Sequence, residues 1–364
     1  MPNCWASSPP WRREVGDTML AGRLDLRSGG FAVEEIPVPE PGPGQVRVKV
    51  EAAGICLSDV HLIDGSLKPA YATAGKVTLG HETAGVVDAL GPGVPAEWAA
   101  GRRVLLQAGE RCGVCRPCER FSGPCRRLLT RGVDYDGGWA EYALASHHTL
   151  VALPGGLPYD QAAIIPDAVS TPWSAITLTG RARAARPAGV WGIGGLGAHA
   201  VQLLRLVGAA PIVAVDPLEA ARKRALDFGA DLALDPADPG LRERIRAATG
   251  GDGLDLALDM AGVPAVREQA AACLAPDGRL VLVGLGPAPL TVTNSIAFSV
   301  RHQQILGHYG SEPVHTDELV TLARLGRLDL SRSISGTLPL AEAAAGVERL
   351  RKKEDDPIRL ILTP

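Results

Sequence analysis

The run GVWGIGGLGAHAVQLLRLVGAAPIVAVD, residues 189–216, restricts the fold of this chain more than any other stretch. GVWGI and PIVAVD are short bursts of apolar and β-branched residues, and LGAHAVQLLRLVGA between them has helical period. A strand, a helix and a second strand in that order imply a right-handed crossover between parallel strands. At the junction of first strand and helix, Gly192, Gly194 and Gly197 spell G-x-G-x-x-G, with Gly195 and Leu196 completing the turn. In that context the first glycine makes the tight turn and the second lets the backbone approach a pyrophosphate. The third lets helix and strand pack closely, and the helix N-terminus faces the phosphate. Asp216 closes the second strand 24 residues after Gly192, where a carboxylate receives the ribose hydroxyls of a dinucleotide and repels a 2′-phosphate. NAD is therefore expected over NADP. Arg222 and Lys223 follow closely; Arg222 is a candidate cofactor contact that would soften the preference, set against a plainly solvated helix face.

The same rhythm continues on the C-terminal side. LDLALDM and RLVLVGL alternate with stretches such as PLEAARKRALDFGA, as a doubly wound parallel sheet requires. The first 150 residues read differently. QVRVKVEAAGI, VTLGHETAGVVDAL, RRVLLQA and WAEYALAS alternate apolar and polar residues between Gly and Pro punctuation, the pattern of a mainly β domain. The end of the chain carries helical stretches (TDELVTLARLG and PLAEAAAGVERLRKK) before a closing strand, IRLILT. Residues 1–18 lack periodicity and read as an extension. With 364 residues, two domains are affordable in core terms. The net charge of -3, from 37 basic and 40 acidic residues in no long block, gives no footprint for nucleic acid or an anionic membrane. No run is long and apolar enough to span a bilayer, and the start lacks a signal-peptide core, so the expected compartment is the cytoplasm.

Four of the seven cysteines, Cys112, Cys115, Cys118 and Cys125, fall within fourteen residues. Paired C-x-x-C steps let a loop wrap one tetrahedral ion, and a four-thiolate shell leaves no open position, the character of a structural zinc. Two disulfides would be the alternative in a secreted protein. Chemistry needs a second, open site. Cys56 in GICLSDVH and His81 in LGHETAG lie 25 residues apart beside glycines, with Asp59, His61 and Glu82 close by. A soft thiolate and an imidazole suit a catalytic zinc with an exchangeable position.

With these motifs in place, the chain from Met19 to Pro364 resembles the zinc-dependent medium-chain alcohol dehydrogenases. The matching landmarks are G-I-C-x-S-D-x-H, G-H-E-x-x-G, the four-cysteine lobe, G-G-W-A-E-Y, G-x-G-G-x-G and the closing I-R-L-I-L. The resemblance implies a Rossmann dinucleotide-binding domain over residues 166–305, inserted into a mainly β GroES-like catalytic domain over residues 19–165 and 306–364. The structural zinc lobe would span residues 109–127, and the active site would lie in the cleft between domains. It implies two zinc ions per subunit and NAD(H). Cys56 and His81 then stand as catalytic zinc ligands. The third falls in IIPDAVSTPWSA, where many members have cysteine and this chain has Asp167, with Glu82 as its rival. Asp59 resembles the carboxylate that orients the ligand histidine, Thr171 the residue packing against nicotinamide, and Arg359 the C-terminal arginine that reaches the pyrophosphate. Ser58 and His61 match a proton relay running from hydroxyl through cofactor ribose to imidazole and solvent.

Three departures qualify the resemblance. Six residues separate Cys118 from Cys125 where seven is usual, so the lobe must close more tightly. Leu57 stands where some members place a basic residue against the pyrophosphate, which predicts a weaker cofactor grip. Ala108 replaces a position that is often aromatic, while Trp139 stands at a pocket position and Trp173 is either pocket lining or domain packing. These residues favour a medium or bulky, secondary or cyclic alcohol, or its carbonyl, over ethanol. The other readings are a reductase of conjugated alkenes or a dehydrogenase of a CoA-linked cyclic alcohol, and, in another class, a cofactor-binding protein without catalysis. A strand-like LTVT at residues 290–293 predicts pairing of two copies in a homodimer, with a tetramer as the alternative.

Overall fold

The structure, a computed structural model, describes residues 17–120 and 125–364. Almost all of the N-terminal extension lies outside the described residues. Its last residue, Thr18, opens the first strand, Thr18–Asp25.

Six parallel strands form the dinucleotide-binding sheet, in the spatial order Leu232–Leu234, Ile212–Val215, Ala188–Trp191, Leu254–Asp259, Leu274–Leu282 and Gln304–Gly307. In sequence terms the order is third, second, first, fourth, fifth, sixth, so the winding reverses beside Ala188–Trp191, where a crevice opens at the carboxyl ends of the strands. The sheet is apolar on both faces. Val190, Ala214, Leu256 and Leu258 pack on one side with helix Gly197–Leu206, while Trp191, Val213 and Leu280 pack on the other with helix Leu241–Ala248. Gln304–Gly307 pairs with Arg279–Leu282 and is the sixth strand, so the boundary expected at 305/306 falls inside it.

The β domain has a seven-stranded sheet built on the long strand Gln45–Ile55, which pairs with Thr83–Leu90, Tyr142–Ser146 and Arg359–Thr363. A three-stranded sheet (Phe31–Pro37, Thr18–Asp25, Lys76–Thr78) packs beside it. Two pairings carry the site. Thr83 lies opposite Ala53, and the Gly54 N–H donates to the Glu82 carbonyl at 2.8 Å, which brings His81 and Glu82 alongside Gly54 and Cys56. On the other edge Leu360 lies opposite Ile55, which places Arg359 next to Cys56 across the whole length of the chain. The helical stretch 159–179 then crosses from one domain to the other. It contains two π-helical turns, Ile165–Val169 and Ala175–Thr179, and Asp167 sits in the first. Widened turns of this kind recur where a helix must present a side chain to a site.

Two sequence expectations need correction. Residues 290–293 form no strand within this chain. Trp139 is 0% exposed and lies in the β-domain core. Its indole N–H donates to the Gly54 carbonyl at 2.9 Å, and its ring meets Phe31 edge-on, with centroids 5.8 Å apart. It leaves no room above Gly80, where a Cβ would lie 2.2 Å from the Trp139 ring, and it presents no surface to a substrate. Among the described residues, no helix is long and apolar enough to cross a membrane.

Candidate active site

Cys56 is the residue before helix Leu57–Ile63, and its position follows from Asp59, whose Oδ2 accepts the Cys56 backbone N–H at 2.9 Å. The other Asp59 oxygen faces His81 Nδ1 at 3.5 Å, which leaves His81 Nε2 pointing to Asp167 Oδ2 at 3.4 Å. Asp167 Oδ2 is also 3.4 Å from Cys56 Sγ. These separations suit a tetrahedral zinc, whose ligand atoms at about 2.0 to 2.3 Å from the ion stand roughly 3.5 Å from one another. Glu82 lies in the same group, with all four ligand atoms within 4.8 Å. Its Oε1, however, is taken by the Ala168 N–H at 3.0 Å and by Arg359 Nη2 at 3.1 Å. Glu82 Oε2 is buried without a hydrogen-bond partner, a cost that a cation in the cluster offsets. The lack of a Cβ at Gly54 makes the arrangement possible, since one would come 2.0 Å from Glu82 Oε2.

Charge follows from this crowding. Burial opposes a charge on His81, but the Asp59 carboxylate and hydrogen bonds to Asp167 and Asp59 outweigh it and raise its pKa well above the usual histidine range. Burial lifts Glu82 to about 7, against the opposing pull of Arg359. Burial also opposes charge on Asp167, but its hydrogen bond to His81 and the charges of His81 and Arg359 hold it well below ordinary carboxylates. Three carboxylates, a thiol, an imidazole and a guanidinium in one buried cluster are what a divalent cation would organise.

Arg359 stands between the glycine turn and the ligand cluster. Its guanidinium lies within the metal-site cluster, 3.7 Å from Cys56 Sγ and 3.9 Å from Asp167 Oδ2, where the strand pairing puts it. It still touches the glycine turn: a Cβ on Gly195 would lie 2.3 Å from Arg359 Nη1. Thr171 Oγ1 donates to Asp167 Oδ1 at 2.7 Å, one helical turn along. Ser58 Oγ is 3.6 Å from Cys56 Sγ, and His61 lies half-buried on the same short helix. Leu57 is 43% exposed.

The glycine turn matches the shape a pyrophosphate needs. Gly192 has φ +88°, and a Cβ on Gly197 would come 1.8 Å from the Gly192 carbonyl oxygen. Asp216 is buried and accepts the Ile193 N–H at 2.7 Å and the Leu218 N–H at 2.9 Å, so it braces the turn as well as closing its strand. Each oxygen keeps a lone pair for a hydroxyl. Arg222 is partly buried and tied to its own turn rather than part of a solvated face. It donates to the Asp216 and Pro217 carbonyls, both at 2.8 Å, and to Asp235 Oδ2 at 3.0 Å.

In the cysteine lobe, Cys115 Sγ lies 3.4 Å from Cys118 Sγ and 3.9 Å from Cys125 Sγ, and the four sulfurs form a second cluster of metal-ligand type. The Arg126 N–H lowers Cys115 to about 6, whereas burial pushes Cys125 up to about 11. All six described cysteines are free thiols, so the disulfide alternative is not realised among the described residues. Hairpin strands Gly109–Glu110 and Leu129–Thr130 close the base of the lobe. Ala108, just before, is half-buried. Trp173 resolves to packing: its indole N–H donates to Glu318 Oε2 at 2.7 Å, joining two helices.

Two residues near the site escaped sequence reasoning. Tyr309 is 61% exposed and held between His308, which bonds Thr179 Oγ1, and Ser311, which bonds Ser170 Oγ. Burial of its hydroxyl end, followed by the Asp167 charge, raises its pKa. His199 lies two residues past the last motif glycine and is fully buried; burial and the Arg359 charge lower its pKa to about 3. Its place in an apolar helical repeat gave no sign of polar work.

Comparison with known proteins agrees with this geometry. Residues 42–155 match the alcohol dehydrogenase GroES-like domain, and residues 195–324 match the zinc-binding dehydrogenase family. The NDMA-dependent alcohol dehydrogenase of Amycolatopsis methanolica is 32% identical over 356 residues, covering 90% of this chain and 94% of that one. A zinc-binding dehydrogenase of Sinorhizobium meliloti 1021, solved bound to NADP, superposes with a TM-score of 0.87 at 28% identity, covering 96% of this chain and all of that one. The acetophenone reductase of Geotrichum candidum NBRC 4597, solved with NAD, gives 0.84 at 28% identity over 97% of this chain and 99% of that one. The chain belongs to the zinc-dependent medium-chain dehydrogenase/reductase family and is an alcohol dehydrogenase of the zinc type.

Proposed function

We propose that this protein transfers hydride reversibly between NAD(H) and a medium or bulky, secondary or cyclic alcohol or its carbonyl. The observation that carries the reading is the triangle of Cys56 Sγ, His81 Nε2 and Asp167 Oδ2, with edges of 3.4 Å at Asp167, beside a glycine turn reached by Arg359. These three are the ligands we assign to a catalytic zinc, with Asp59 orienting His81. Glu82 is assigned a supporting role because Arg359 and the Ala168 N–H engage it. The four lobe cysteines are assigned to a second, structural zinc.

When bound, the zinc would supply Lewis acidity at the substrate oxygen and the nicotinamide would supply or accept the hydride. The chain's own residues do the rest. Asp167 offers one oxygen to the cluster while its other oxygen accepts from Thr171, which fixes the carboxylate's orientation. The Ser58 hydroxyl accepts the substrate proton as it gives up its own towards His61, half-buried three residues on, which in turn releases one to water. An imidazole suits that outer step because one of its ring nitrogens can accept a proton while the other gives one up. Asp216 favours NAD by placing a carboxylate where a 2′-phosphate would sit.

The bulky substrate class is supported by the small side chain of Ala108 and by the likeness to a reductase named for acetophenone. A homodimer belongs to the same reading, supported by the exposed Leu290, Val292, Ile296 and Val300 along one segment. So does a cytoplasmic location, where reducing conditions keep the cysteines as thiols. The experiment is a panel of primary, secondary and cyclic alcohols and their carbonyls with NAD or NADH, followed at 340 nm. Turnover with bulky secondary alcohols above that with ethanol is expected, and preference for NADPH over NADH would overturn the part assigned to Asp216.

A further inference from the structure

We propose that His199 is a positioning residue of the dinucleotide site, aiming the backbone of the glycine turn at the pyrophosphate by holding the Gly195 carbonyl. His199 Nδ1 lies 2.6 Å from the Gly195 oxygen, and Nε2 lies 2.9 Å from Ser333 Oγ. A carbonyl oxygen can only accept, so Nδ1 carries the hydrogen, and Nε2 is left to accept from the Ser333 hydroxyl. Both His199 and Ser333 are 0% exposed, so neither bond competes with water.

The consequence is stereochemical. A peptide unit is planar and trans, so its C=O and the following N–H point in opposite directions. Drawing the Gly195 carbonyl inward onto His199 therefore turns the Leu196 N–H outward. Leu196 is the N-cap of helix Gly197–Leu206, and the first N–H groups of a helix have no partner inside it. They bind anions when they face one. Arg359 closes the turn from another side, in contact with Gly195, so this peptide is held between a guanidinium and an imidazole. Ser333 extends the hold. It ends the short helical turn Ser331–Ser333, directly before strand Ile334–Pro339 of the β domain's sheet. The cofactor turn and the catalytic domain thus share one buried hydrogen-bonded histidine.

The inference rests on the dinucleotide reading above, and its test separates the two. NADH fluorescence titration without alcohol reports binding apart from turnover. Wild-type protein that binds neither NADH nor NADPH sinks the dinucleotide reading; wild-type binding that His199→Leu leaves unchanged sinks only the role of His199. The expected result is about tenfold weaker binding in His199→Leu, the value of roughly one lost buried hydrogen bond. The KM for NADH should rise while kcat changes less than about twofold. Should His199→Leu not fold, His199→Asn and His199→Gln decide the matter. Asparagine keeps a donor near Nδ1 and should bind NADH nearly as wild type does. Glutamine extends its amide toward Ser333, loses the Gly195 bond and should bind several-fold more weakly. Equal affinities in those two variants would overturn the proposal.

Discussion

The Arg359 guanidinium lies 3.1 Å from Glu82 Oε1, and both side chains are shut off from solvent. Strand pairing puts the arginine there, and the glutamate follows His81, so a buried ion pair stands directly behind the candidate metal cluster. Removing one partner of such a pair leaves the other charge buried alone, at a cost of about 3 to 5 kcal/mol.

Arg359→Leu should therefore lower the unfolding free energy by about 3 kcal/mol at pH 8. Glu82 already has a folded pKa of about 7, above its ordinary 4.5, so the folded state binds the proton more tightly and its contribution declines as pH rises from 4.5 through 7. Without Arg359 that pKa rises further, and at pH 6 the protonated acid escapes most of the penalty. Urea denaturation at the two pH values measures the difference. Equal penalties would mean that Glu82 does not carry the charge.

Zinc uptake at the catalytic cluster should tighten with pH. In the metal-free protein His81 holds its proton well above its ordinary pKa of 6.5, while a zinc ligand must be neutral imidazole. His81's stabilising share is thus complete below 6.5 and is lost as pH rises through its raised folded value, while metal binding releases that proton. Competition titration between pH 6 and 8 should show about a tenfold gain per pH unit for each proton released. A flat profile would remove both His81 and Cys56 from the ligand set.

Gly197→Ala should abolish dinucleotide binding and spare both metals. Its new Cβ would lie 1.8 Å from the Gly192 oxygen, a backbone atom that no rotamer change can move. A loss of more than about 100-fold in NADH affinity, or about 3 kcal/mol, is expected by fluorescence titration. Metal analysis should still return the wild-type zinc content.

In the cysteine lobe, Cys118→Ser should remove one zinc per subunit and lower the Tm, while Cys56→Ser should remove the other zinc and the activity. Metal analysis of both variants checks the assignment. A zinc content unchanged by Cys118→Ser would exclude a four-thiolate site, tight closure between Cys118 and Cys125 notwithstanding.

His61→Ala should slow alcohol oxidation about tenfold in dilute buffer and recover with added imidazole, because the lost group only passes a proton to water. Rates independent of buffer concentration in both proteins would take His61 out of the relay.

Much of this was legible because the decisive motifs are local. Gly192, Gly194 and Gly197 make their turn from residues a few positions apart, and the four lobe cysteines meet within one loop, so spacing alone implied both. Asp216 was legible as a strand end, but its two backbone N–H bonds were not, since they depend on how Ile193 and Leu218 fold around it. Trp139 and Trp173 read as pocket candidates from their positions in motifs. Only packing told them apart from the pocket: Gly80 makes room for one in the core, where the Gly54 carbonyl accepts its indole N–H, and Glu318 takes the indole of the other.

By itself, the sequence determined two things: which residue types are available for metal and cofactor chemistry, and the alternating strands and helices that carry the dinucleotide turn. Both are set by backbone stereochemistry and by periodicities of two and 3.6 residues, which operate within a few positions. Tertiary structure alone decided the neighbours of the reaction centre. Arg359 reaches Cys56 across 303 residues because Leu360 pairs with Ile55, His199 meets Ser333 across 134, and Asp167 enters the cluster from a helix that joins the two domains. Such contacts depend on strand register and on packing between elements, and those are settled only when the whole core closes at once.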